Sequence, residues 1–381
     1  MAKEKNTGNS GMNKAQSLME RMLKNTTLKH AALLSESEIL NETPAVPTRI
    51  PMLNLALNGK IDGGIERGLI MLAGASKSFK TSFSLEMVSA YLKAKPNAIC
   101  LFFDGEFGAK KQYFEQFDVP TEKVLHLPFE NIEQLKFEMS AQLTNIELGE
   151  DVICLIDSIG NAASKKEVED SMDQKSVADM SRAKSLASLF RIITPKLYLK
   201  RIPCIVVNHT LKTMDFFPVD LPKGGNGGIY SSNTIWLIGK NKLKEKEEHT
   251  GYKFLIKIYK SRDIKDNSMF PITVRFEGGI ARWSGLDELA LQLGVIEKCK
   301  EGRSAAYQYE SISGEVYKVL ERDVDTDDSF WERIFKETDF QYRVECLYQF
   351  GKHSTDSVSF DAPEIEELAK NAVVIKPDFD N

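Results

Sequence analysis

Cysteine is scarce in this sequence, and long apolar runs are missing. The five cysteines in 381 residues are scattered, and Cys100, Cys154 and Cys204 each lie in a short apolar run typical of a strand. This placement predicts reduced, buried thiols and argues against disulfides or a cysteine metal site. No apolar run approaches the roughly 18 residues that a membrane helix needs, and residues 1–12 lack the apolar stretch of a signal peptide. The sequence therefore predicts a cytoplasmic protein with no membrane partner.

Neither sign of charge dominates. The net charge of −5 neither requires nor excludes nucleic acid, because a binding surface needs only a local basic patch. With 42% hydrophobic and 28% charged residues, the composition is typical of globular proteins. The length predicts two or three domains, and no internal repeat indicates a solenoid.

Residues 51–285 alternate between apolar, strand-like runs and helical patterns. Continuous apolar strands between helices predict the α/β class, with a mostly parallel sheet covered on both faces. Shorter strands after residue 252 predict an antiparallel extension. The strand-like runs are 69–73, 98–103, 152–156, 204–207 and 234–238, and the helical patterns are 82–93, 132–146 and 178–197.

The two ends of the chain differ from this core. In residues 1–50, Ala15, Leu18, Met19, Met22 and Leu23 share one helix face, and a proline-containing tether follows. Since a short helix cannot bury such a stripe alone, it docks either on its own domain or on a neighbouring copy. The other end predicts a small α+β region at 286–351, with a helix at 286–293 and a hairpin around Ser313-Gly314. We expect its last segment, 352–381, to be a flexible acidic tail.

The most informative stretch is the loop between the apolar run 69–73 and the helical pattern 82–93. A tight loop there turns backbone N–H groups toward a phosphate and adds the positive end of a helix dipole. Lys80 can then reach the β- and γ-phosphates of a nucleotide, and Thr81 can place its hydroxyl on Mg²⁺. A surface turn is the alternative, but it does not explain the flanking strand and helix. The predicted phosphate-binding residues are Gly74, Ala75, Ser76, Lys77, Ser78, Phe79, Lys80 and Thr81.

Phe79 departs from the usual loop, which has glycine immediately before the lysine. If the backbone at this position needs a positive φ, a bulky side chain costs on the order of 1 kcal/mol or more. A loop weakened in this way would bind ATP without turnover.

Acidic side chains follow two of the predicted strands. Glu106 comes shortly after the run 98–103, and Asp157 directly follows the run 152–156. The carboxyl ends of parallel strands form the ligand edge of a sheet. Asp157 matches the Walker-B pattern and predicts a contact to Mg²⁺ beside Thr81. Glu106 is the predicted catalytic residue, placed to hold a water for attack on a γ-phosphate; a solvated loop acid is the alternative.

Polar residues also end the strand at 202–207, where Asn208, His209 and Thr210 follow. A side chain at that edge can respond to a γ-phosphate, and loss of the phosphate could reorder the loop that follows. His209 is therefore the predicted γ-phosphate sensor. The alternative is that it simply caps the strand.

Two long connections stand out: 161–178 carries lysines, and 212–232 carries lysines, glycines and aromatic rings. Connections longer than about 15 residues in a compact domain are usually functional or disordered. Cations for phosphate, glycine for close approach and a ring for a base suit a binder of single-stranded nucleic acid. The alternative is a flexible surface loop. The candidate DNA-binding residues are Lys165, Lys166, Lys175, Lys212, Phe216, Phe217, Lys223, Gly224, Gly225, Gly227 and Gly228.

Lys260 and Arg262 place two cations at the end of an outer strand. They lie too far along the sheet to serve their own phosphate site easily, but they could serve the site of a neighbouring subunit. A charged strand edge that blocks aggregation is the alternative.

Taken in order, these motifs resemble the RecA-type recombinases, in particular their T-even phage branch. The resemblance runs from about residue 50 to about residue 290 and continues more loosely to about residue 351. Its most telling segments are the phosphate loop 63–81, the segment 101–108, the segment 156–169 and the cations 260–262. In the phage proteins too, Phe stands where bacterial RecA has Gly before the lysine.

The resemblance implies a RecA-type P-loop NTPase core that binds ATP and Mg²⁺ between adjacent subunits of a filament. Lys80 and Thr81 would bind phosphate and Mg²⁺, and Asp157 would support the metal. Glu106 would position the attacking water. His209 stands where bacterial RecA has the Gln that senses the γ-phosphate, and His is also the phage form.

The resemblance further implies binding of single-stranded and double-stranded DNA. The connections 161–178 and 212–232 would be the two DNA-binding loops, and Lys260 and Arg262 would reach ATP from the next subunit. Bacterial RecA has Lys at both of these places, so Arg262 departs in type but keeps the charge. Residues 1–50 would be the polymerisation arm. A single-strand-binding protein and a loading mediator are implied as partners, in the host cytoplasm if the protein comes from a phage.

Two other functions fit part of the pattern. A RecA-fold ring helicase would share the phosphate loop and Asp157, and closed hexamers that unwind a forked duplex would identify it. A nucleotide-gated DNA-binding mediator without turnover would be consistent with Phe79, and absence of ATP hydrolysis would identify it.

Overall fold

The computed structural model describes residues 8–37, 39–40, 43–172, 181–213, 219–245, 248–311 and 313–350. The chain divides into two units, Met1–Pro44 and Ala45–Asn381. The first unit contains helix α1 (Gly8–Asn25) and a 3₁₀ turn at Leu34–Glu36. The predicted apolar stripe of α1 is exposed at Leu18, Met19 and Met22. None of the described helices is both long enough and apolar enough to cross a membrane.

The second unit is built around one large sheet, with helices on both sides. Its helices are α2 (Pro51–Asn58), α3 (Lys80–Ala94), α4 (Lys111–Gln116), α5 (Ile132–Asn145), α6 (Lys165–Met172), α7 (Ser181–Leu199), α8 (Asn226–Ser231), α9 (Leu286–Gln292), α10 (Asp328–Glu337) and α11 (Phe340–Tyr348). Its strands are β1 (Gly68–Gly74), β2 (Ile99–Asp104), β3 (Val124–Pro128), β4 (Val152–Asp157), β5 (Pro203–Asn208), β6 (Thr210–Lys212), β7 (Asp220–Pro222), β8 (Thr234–Glu245), β9 (Glu248–Lys260), β10 (Met269–Arg275), β11 (Gly279–Ile280), β12 (Glu297–Glu301), β13 (Ser304–Glu310) and β14 (Val316–Leu320).

The nine strands of the large sheet follow the order β11-β10-β9-β8-β1-β5-β4-β2-β3. The six strands from β8 to β3 are parallel, and β9, β10 and β11 extend them in antiparallel fashion. This confirms the predicted α/β class and the antiparallel extension. The connection from β1 to β2 passes over two intervening strands, β5 and β4. The loops after neighbouring strands therefore diverge at the carboxyl end of β1 and leave a crevice where a ligand can bind.

The residues of β1 alternate between two hydrophobic cores, one on each face of the sheet. Ile70 and Leu72 belong to one core, together with Phe83 of α3. Leu69 and Met71 belong to the other, which α5 and α7 cover. Every residue of β1 is buried, which explains why its sequence is continuously apolar. Cys100, Cys154 and Cys204 are buried and free, as the sequence predicted.

The C-terminal part of the second unit packs on the core and contains a small antiparallel sheet, β12-β13-β14. The predicted hairpin corresponds to β13 and β14. Sequence reasoning missed β12, α10 and α11. The start of α10 had a signal in the sequence: Asp327 caps the helix by accepting a hydrogen bond from the backbone N–H of Phe330 at 2.9 Å. The Gln349 amide donates to the carbonyl of Asn58 at 3.0 Å and ties this part to α2.

Both connections predicted as loops contain regular structure, which corrects the sequence interpretation. In 161–178, α6 begins at Lys165 because Ser164 and Glu167 form a capping box: the Glu167 N–H donates to Ser164 Oγ at 3.0 Å, and the Ser164 N–H donates to the Glu167 carboxylate at 3.4 Å. In 212–232, β6 and β7 pair as a short hairpin, and α8 follows.

Candidate active site

The loop from Gly74 to Phe79 joins β1 to α3, as predicted. The Lys80 ammonium folds back over it and donates to the carbonyls of Gly74 at 3.0 Å and Ala75 at 2.7 Å. Burial lowers the pKa of Lys80, and the carboxylates of Glu106 and Asp157 act in the opposite direction. The lysine is therefore a buried cation at the base of the loop, placed to neutralise a phosphate.

The backbone at Phe79 has a positive φ of 66°, in the left-handed region. Lys77, two residues earlier, has a φ of 62°. For a residue with a Cβ this conformation costs about 1–2 kcal/mol, so glycine's usual place in such a loop has a clear physical reason. The sequence left open whether this position needs a positive φ; the structure shows that it does, and the chain adopts it with a bulky aromatic residue.

Thr81 and Asp157 meet beside this loop. The Thr81 hydroxyl donates to Asp157 Oδ2 at 2.6 Å. Among the described residues, the buried Asp157 Oδ1 has no hydrogen-bond partner. Burial raises the pKa of Asp157 to about 6, and the Thr81 hydrogen bond lowers it only in part. A hydroxyl next to an unpartnered buried carboxylate oxygen is an oxygen donor set that fits Mg²⁺.

Glu106 and His209 lie together at the same edge of the sheet. His209 Nε2 is 3.1 Å from Glu106 Oε1, and the Ser158 hydroxyl donates to the same oxygen at 2.6 Å. The strand order explains the contact, because β4, which ends just before Ser158, lies between β2 and β5. A second neighbour of His209 is Asn161, whose Nδ2 is 3.4 Å from Nε2. The carboxylate predicted to hold the water and the predicted sensor are therefore in direct contact.

These side chains line one cavity of about 260 Å³. The cavity brings together the phosphate loop from Ser76 onward with Glu106, Asp157 and His209, as predicted. Sequence reasoning missed Tyr113, on α4, whose ring also lines the cavity and whose hydroxyl contacts Ser82 Oγ. Its only sequence signal is an aromatic residue shortly after the Glu106 loop, which is too common to be informative.

The predicted DNA-binding residues fall into three groups. Lys165 and Lys166 are exposed on the first turn of α6, where Lys165 pairs with Glu169 at 3.6 Å. Lys212 is exposed at the end of β6 and Lys223 is half-buried. Lys175, Phe216 and Phe217 lie outside the described residues.

The glycines of the second connection lie against α7. Gly224 and Gly225 have φ values of 100° and 78°, and Gly225 precedes α8. A Cβ on Gly227 would lie 2.6 Å from the Cα of Ala187, and one on Gly228 would lie 2.9 Å from the Phe190 ring. These last two glycines therefore permit close helix packing, a role that the sequence analysis did not anticipate, and any contact with DNA stays a prediction.

Backbone hydrogen bonds join His209 to the second connection. The Lys223 N–H donates to the carbonyl of His209 at 2.9 Å, and the Asn208 amide donates to the carbonyl of Lys223 at 2.8 Å. Arg182 of α7 holds the first connection in a similar way, since its guanidinium donates to the carbonyls of Ile159, Gly160 and Ala162 at 2.8–2.9 Å. Neither Asn208 nor Arg182 was predicted as a site residue.

Lys260 and Arg262 do not line the cavity of their own chain. Lys260 Nζ donates to the carbonyls of Ile229 at 2.7 Å and Tyr230 at 3.1 Å. The Arg262 guanidinium lies 5.3 Å from the centre of the Tyr198 ring. Burial and the neighbouring Arg262 lower the pKa of Lys260. The two cations form a separate site at the end of β9.

Comparison with known protein families shows the family to which the chain belongs. A family profile described as the RecA N-terminal domain matches residues 15–281. The chain belongs to the RecA family. Residues 283–344 match a second profile, the C-terminal domain of the bacteriophage T4 recombination and repair protein. The RecA-type fold and the resemblance to the T-even phage recombinase, UvsX, are thus confirmed.

Relatives within the RecA family come from a phage and from bacteria. The recombination and repair protein of Enterobacteria phage T4 is 43% identical over 359 residues, which cover 93% of this chain and 91% of that protein. RecA of Bacteroides thetaiotaomicron is 26% identical over 74% of this chain and 84% of its own length. RecA of Cytophaga hutchinsonii is 25% identical over 78% of this chain and 83% of its own.

Proposed function

We propose that the protein is an ATP-dependent DNA recombinase. It forms a helical filament on single-stranded DNA and pairs that strand with homologous double-stranded DNA, in recombination, repair and recombination-dependent replication. Membership of the RecA family and the phage relative named for recombination and repair support this function. The single structural observation that carries it is the continuous set of contacts from Glu106 through His209 to Lys223, because it joins a hydrolytic site to a predicted DNA-binding segment.

ATP binds in the cavity beside the phosphate loop. Lys80 neutralises the β- and γ-phosphates. Thr81 and Asp157 would hold Mg²⁺, which would spread the negative charge that develops during phosphoryl transfer. Glu106 orients the attacking water, and the Ser158 hydroxyl at 2.6 Å holds the carboxylate in place. The ring of Tyr113 offers an aromatic surface at the cavity for the nucleotide base.

His209 couples this site to DNA. A γ-phosphate competes with Glu106 for the imidazole, because both groups accept hydrogen bonds from it. Movement of His209 carries the hydrogen bond between its carbonyl and Lys223 with it, and so changes the base of the second connection. Hydrolysis then favours release of DNA. Strand exchange itself requires no chemistry on DNA, since base pairing supplies the specificity.

The proposed DNA contacts combine lysines with aromatic rings. Lys165 and Lys166 on α6, and Lys212 and Lys223 around the β6–β7 hairpin, are charges for the phosphate backbone. Lys175, Phe216 and Phe217 are proposed from the sequence alone.

Assembly completes the nucleotide site. Lys260 and Arg262 do not line the cavity beside the phosphate loop of their own subunit, and in the filament they reach the phosphates of ATP bound to the next subunit. ATP thereby strengthens the contact between subunits only while the γ-phosphate is present. The hydrogen bonds of Lys260 to two backbone carbonyls keep the ammonium at this surface.

Residues 1–50 act as the polymerisation arm, with the exposed stripe of α1 docking on a neighbouring subunit. Deletion of residues 1–30 should then give soluble, folded monomers, measured by light scattering and circular dichroism. An aggregated or unfolded product would instead indicate that α1 docks on its own chain. A single-strand-binding protein, a loading mediator and the host cytoplasm complete the proposed setting.

A second candidate, a nucleotide-gated DNA-binding mediator without turnover, is favoured by one observation. Phe79 holds the phosphate loop in a conformation that is costly for any residue but glycine. The two functions differ in ATP turnover and in DNA pairing.

The test measures ATP hydrolysis with and without single-stranded DNA, together with D-loop formation on a supercoiled plasmid. Stimulation by DNA and formation of D-loops are expected. Binding of ATP and DNA without either activity would support the mediator and overturn the recombinase.

A further inference from the structure

Phe79 reaches outside the phosphate loop and packs on the antiparallel part of the sheet. Its ring stacks on Phe254 of β9, with 5.0 Å between ring centres and 27° between planes. It also meets the ring of Phe83 edge-on at 5.3 Å. Phe83 and Phe254 are themselves edge-on at 5.8 Å, so the three rings form a closed cluster, which we call the aromatic clamp.

The two partners of Phe79 in the clamp are fixed groups. Phe254 is 1% exposed and Phe83 is fully buried, and each belongs to a regular element, β9 or α3. Phe79 occupies the N-cap position of α3, where its side chain has no polar atom that could cap the helix. The contacts of the Phe79 ring with Phe83 and Phe254 therefore stabilise the loop at a position where the backbone conformation is unfavourable.

A second tie joins the same loop to the same pair of strands. Lys240 of β8 donates from Nζ to the carbonyl of Lys77 at 3.3 Å, and its ammonium lies 4.6 Å from the centre of the Tyr252 ring. Lys77 and Phe79 are the two residues of the loop that have a Cβ and a positive φ. Each of them is thus held from the β8–β9 pair.

We propose that Phe79 is a positioning residue for nucleotide binding. Its stack on Phe254 holds the left-handed turn of the loop, so that Lys80 and Thr81 are presented to the phosphates in a fixed arrangement. In this chain, ring packing replaces the conformational freedom that glycine supplies in the usual loop. The proposal rests on the proposed function only in taking ATP as the ligand.

The experiment compares Phe79→Leu, Phe79→Gly and Phe79→Tyr in the full chain. Phe79→Leu keeps the backbone cost and loses the stack, Phe79→Gly loses both, and Phe79→Tyr keeps the ring. The readouts are the Kd for a fluorescent ATP analogue with Mg²⁺ and without DNA, and the Tm without nucleotide. Phe137→Leu is the matched control, since Phe137 is 74% exposed and lies on α5, which covers the other face of the sheet.

The expected result is a Kd roughly tenfold higher for Phe79→Leu and Phe79→Gly, with Phe79→Tyr and Phe137→Leu near the original value. The Tm of Phe79→Gly should stay close to that of the original protein, because relief of the backbone strain offsets the lost packing. An unchanged Kd for Phe79→Gly would overturn the proposal. So would a Kd that rises only in variants whose Tm also falls, because weaker binding would then reflect a general loss of stability.

A double-mutant cycle tests the partner. Phe254→Leu alone should weaken ATP binding, and adding it to Phe79→Leu should weaken binding little further, because both changes remove the same contact. Additive effects would show that the two rings act independently and would overturn the clamp. If Phe254→Leu does not fold, Lys240→Met tests the second tie between the loop and the strands. This variant should raise the Kd for the ATP analogue. An unchanged Kd would count against the proposal that β8 and β9 hold the loop in place. Because binding is measured without DNA, these results are separate from the test of recombinase activity.

Discussion

The imidazole of His209 lies 3.1 Å from the carboxylate of Glu106, although 103 residues separate them in the chain. The contact exists because β2 and β5 both neighbour β4 in the sheet, and the loops that follow them converge on Ser158. His209 is largely buried, with 17% of its side chain exposed, whereas the Glu106 side chain is 39% exposed. The less exposed His209 fits the proposed role of a sensor, and the more exposed Glu106 fits the proposed role of an acid that orients water.

His209→Ala should uncouple ATP hydrolysis from DNA. Without the imidazole, Glu106 keeps its hydrogen bond from Ser158, so nucleotide binding should change little. Stimulation of hydrolysis by single-stranded DNA should fall roughly tenfold or more. ATPase assays with and without DNA measure the effect, and His249→Ala, in the β8–β9 hairpin, is the control. Full stimulation in His209→Ala would contradict the sensor role.

Gly160→Ala should reproduce that defect without altering any polar group. A Cβ at Gly160 would lie 2.2 Å from His209 Cδ2 and 2.9 Å from its backbone nitrogen, so the ring must leave its present position beside Glu106. Gly108→Ala is the matched control, because a Cβ there meets nothing within 4 Å. DNA-stimulated ATPase should be lost only in Gly160→Ala, and equal activity of the two variants would refute the steric argument.

Asp157→Asn should remove the dependence of ATP binding on Mg²⁺. The variant keeps the volume and an acceptor for Thr81 but loses the charge at a buried oxygen that has no partner in the described structure. Affinity for ATP with Mg²⁺ should fall by roughly ten- to a hundredfold. The Tm without metal should not fall, because burial disfavours the charged form of Asp157 and raises its pKa to about 6. Isothermal titration and thermal melts measure both effects, with the surface variant Asp118→Asn for comparison. A lower Tm with unchanged Mg²⁺ dependence would mean that Asp157 has only a structural role.

Lys260→Ala should abolish cooperative filament growth while the monomer stays folded. In the part of the chain that the structure describes, the ammonium donates hydrogen bonds to two backbone carbonyls and lies near the like charge of Arg262, so its loss should cost little stability. Electron microscopy on single-stranded DNA with ATP is the measurement, and Lys257→Ala on the same strand is the control. Normal filaments from Lys260→Ala would favour the simpler view that these cations only charge a strand edge.

The sequence was informative where strand ends carry polar residues. The loop between β1 and α3 and the acids after β2 and β4 could be located because buried parallel strands are continuously apolar and stop sharply. The sequence could not show that Glu106 and His209 touch, since that depends on the order of the strands. It also could not show that Gly227 and Gly228 pack on α7, which requires knowing which helix lies beside them.

Two helices that were not predicted have capping signals in the sequence. The capping box of Ser164 and Glu167 was visible in the sequence and would have predicted α6, but the lysines drew attention to charge. Asp327 likewise carried a cap signal inside an acidic stretch. For Phe79, sequence reasoning identified the physical question of its φ but not the answer, because the stacking partner Phe254 lies 175 positions away.

The central claim is that one nucleotide site is completed by two subunits, and subunit mixing tests it most directly. Glu106→Gln damages the site on its own loop, and the double variant Lys260→Ala, Arg262→Ala damages the site of a neighbour. Each protein alone should hydrolyse little ATP on single-stranded DNA. In an equimolar mixture, an interface that joins the intact loop of the double variant to the intact cations of Glu106→Gln is a complete site, so activity well above that of either protein alone should return. Random assembly would restore about a quarter of the original activity, and poor assembly of the double variant would lower that fraction. A mixture no more active than its components, although it forms mixed filaments, would contradict the account.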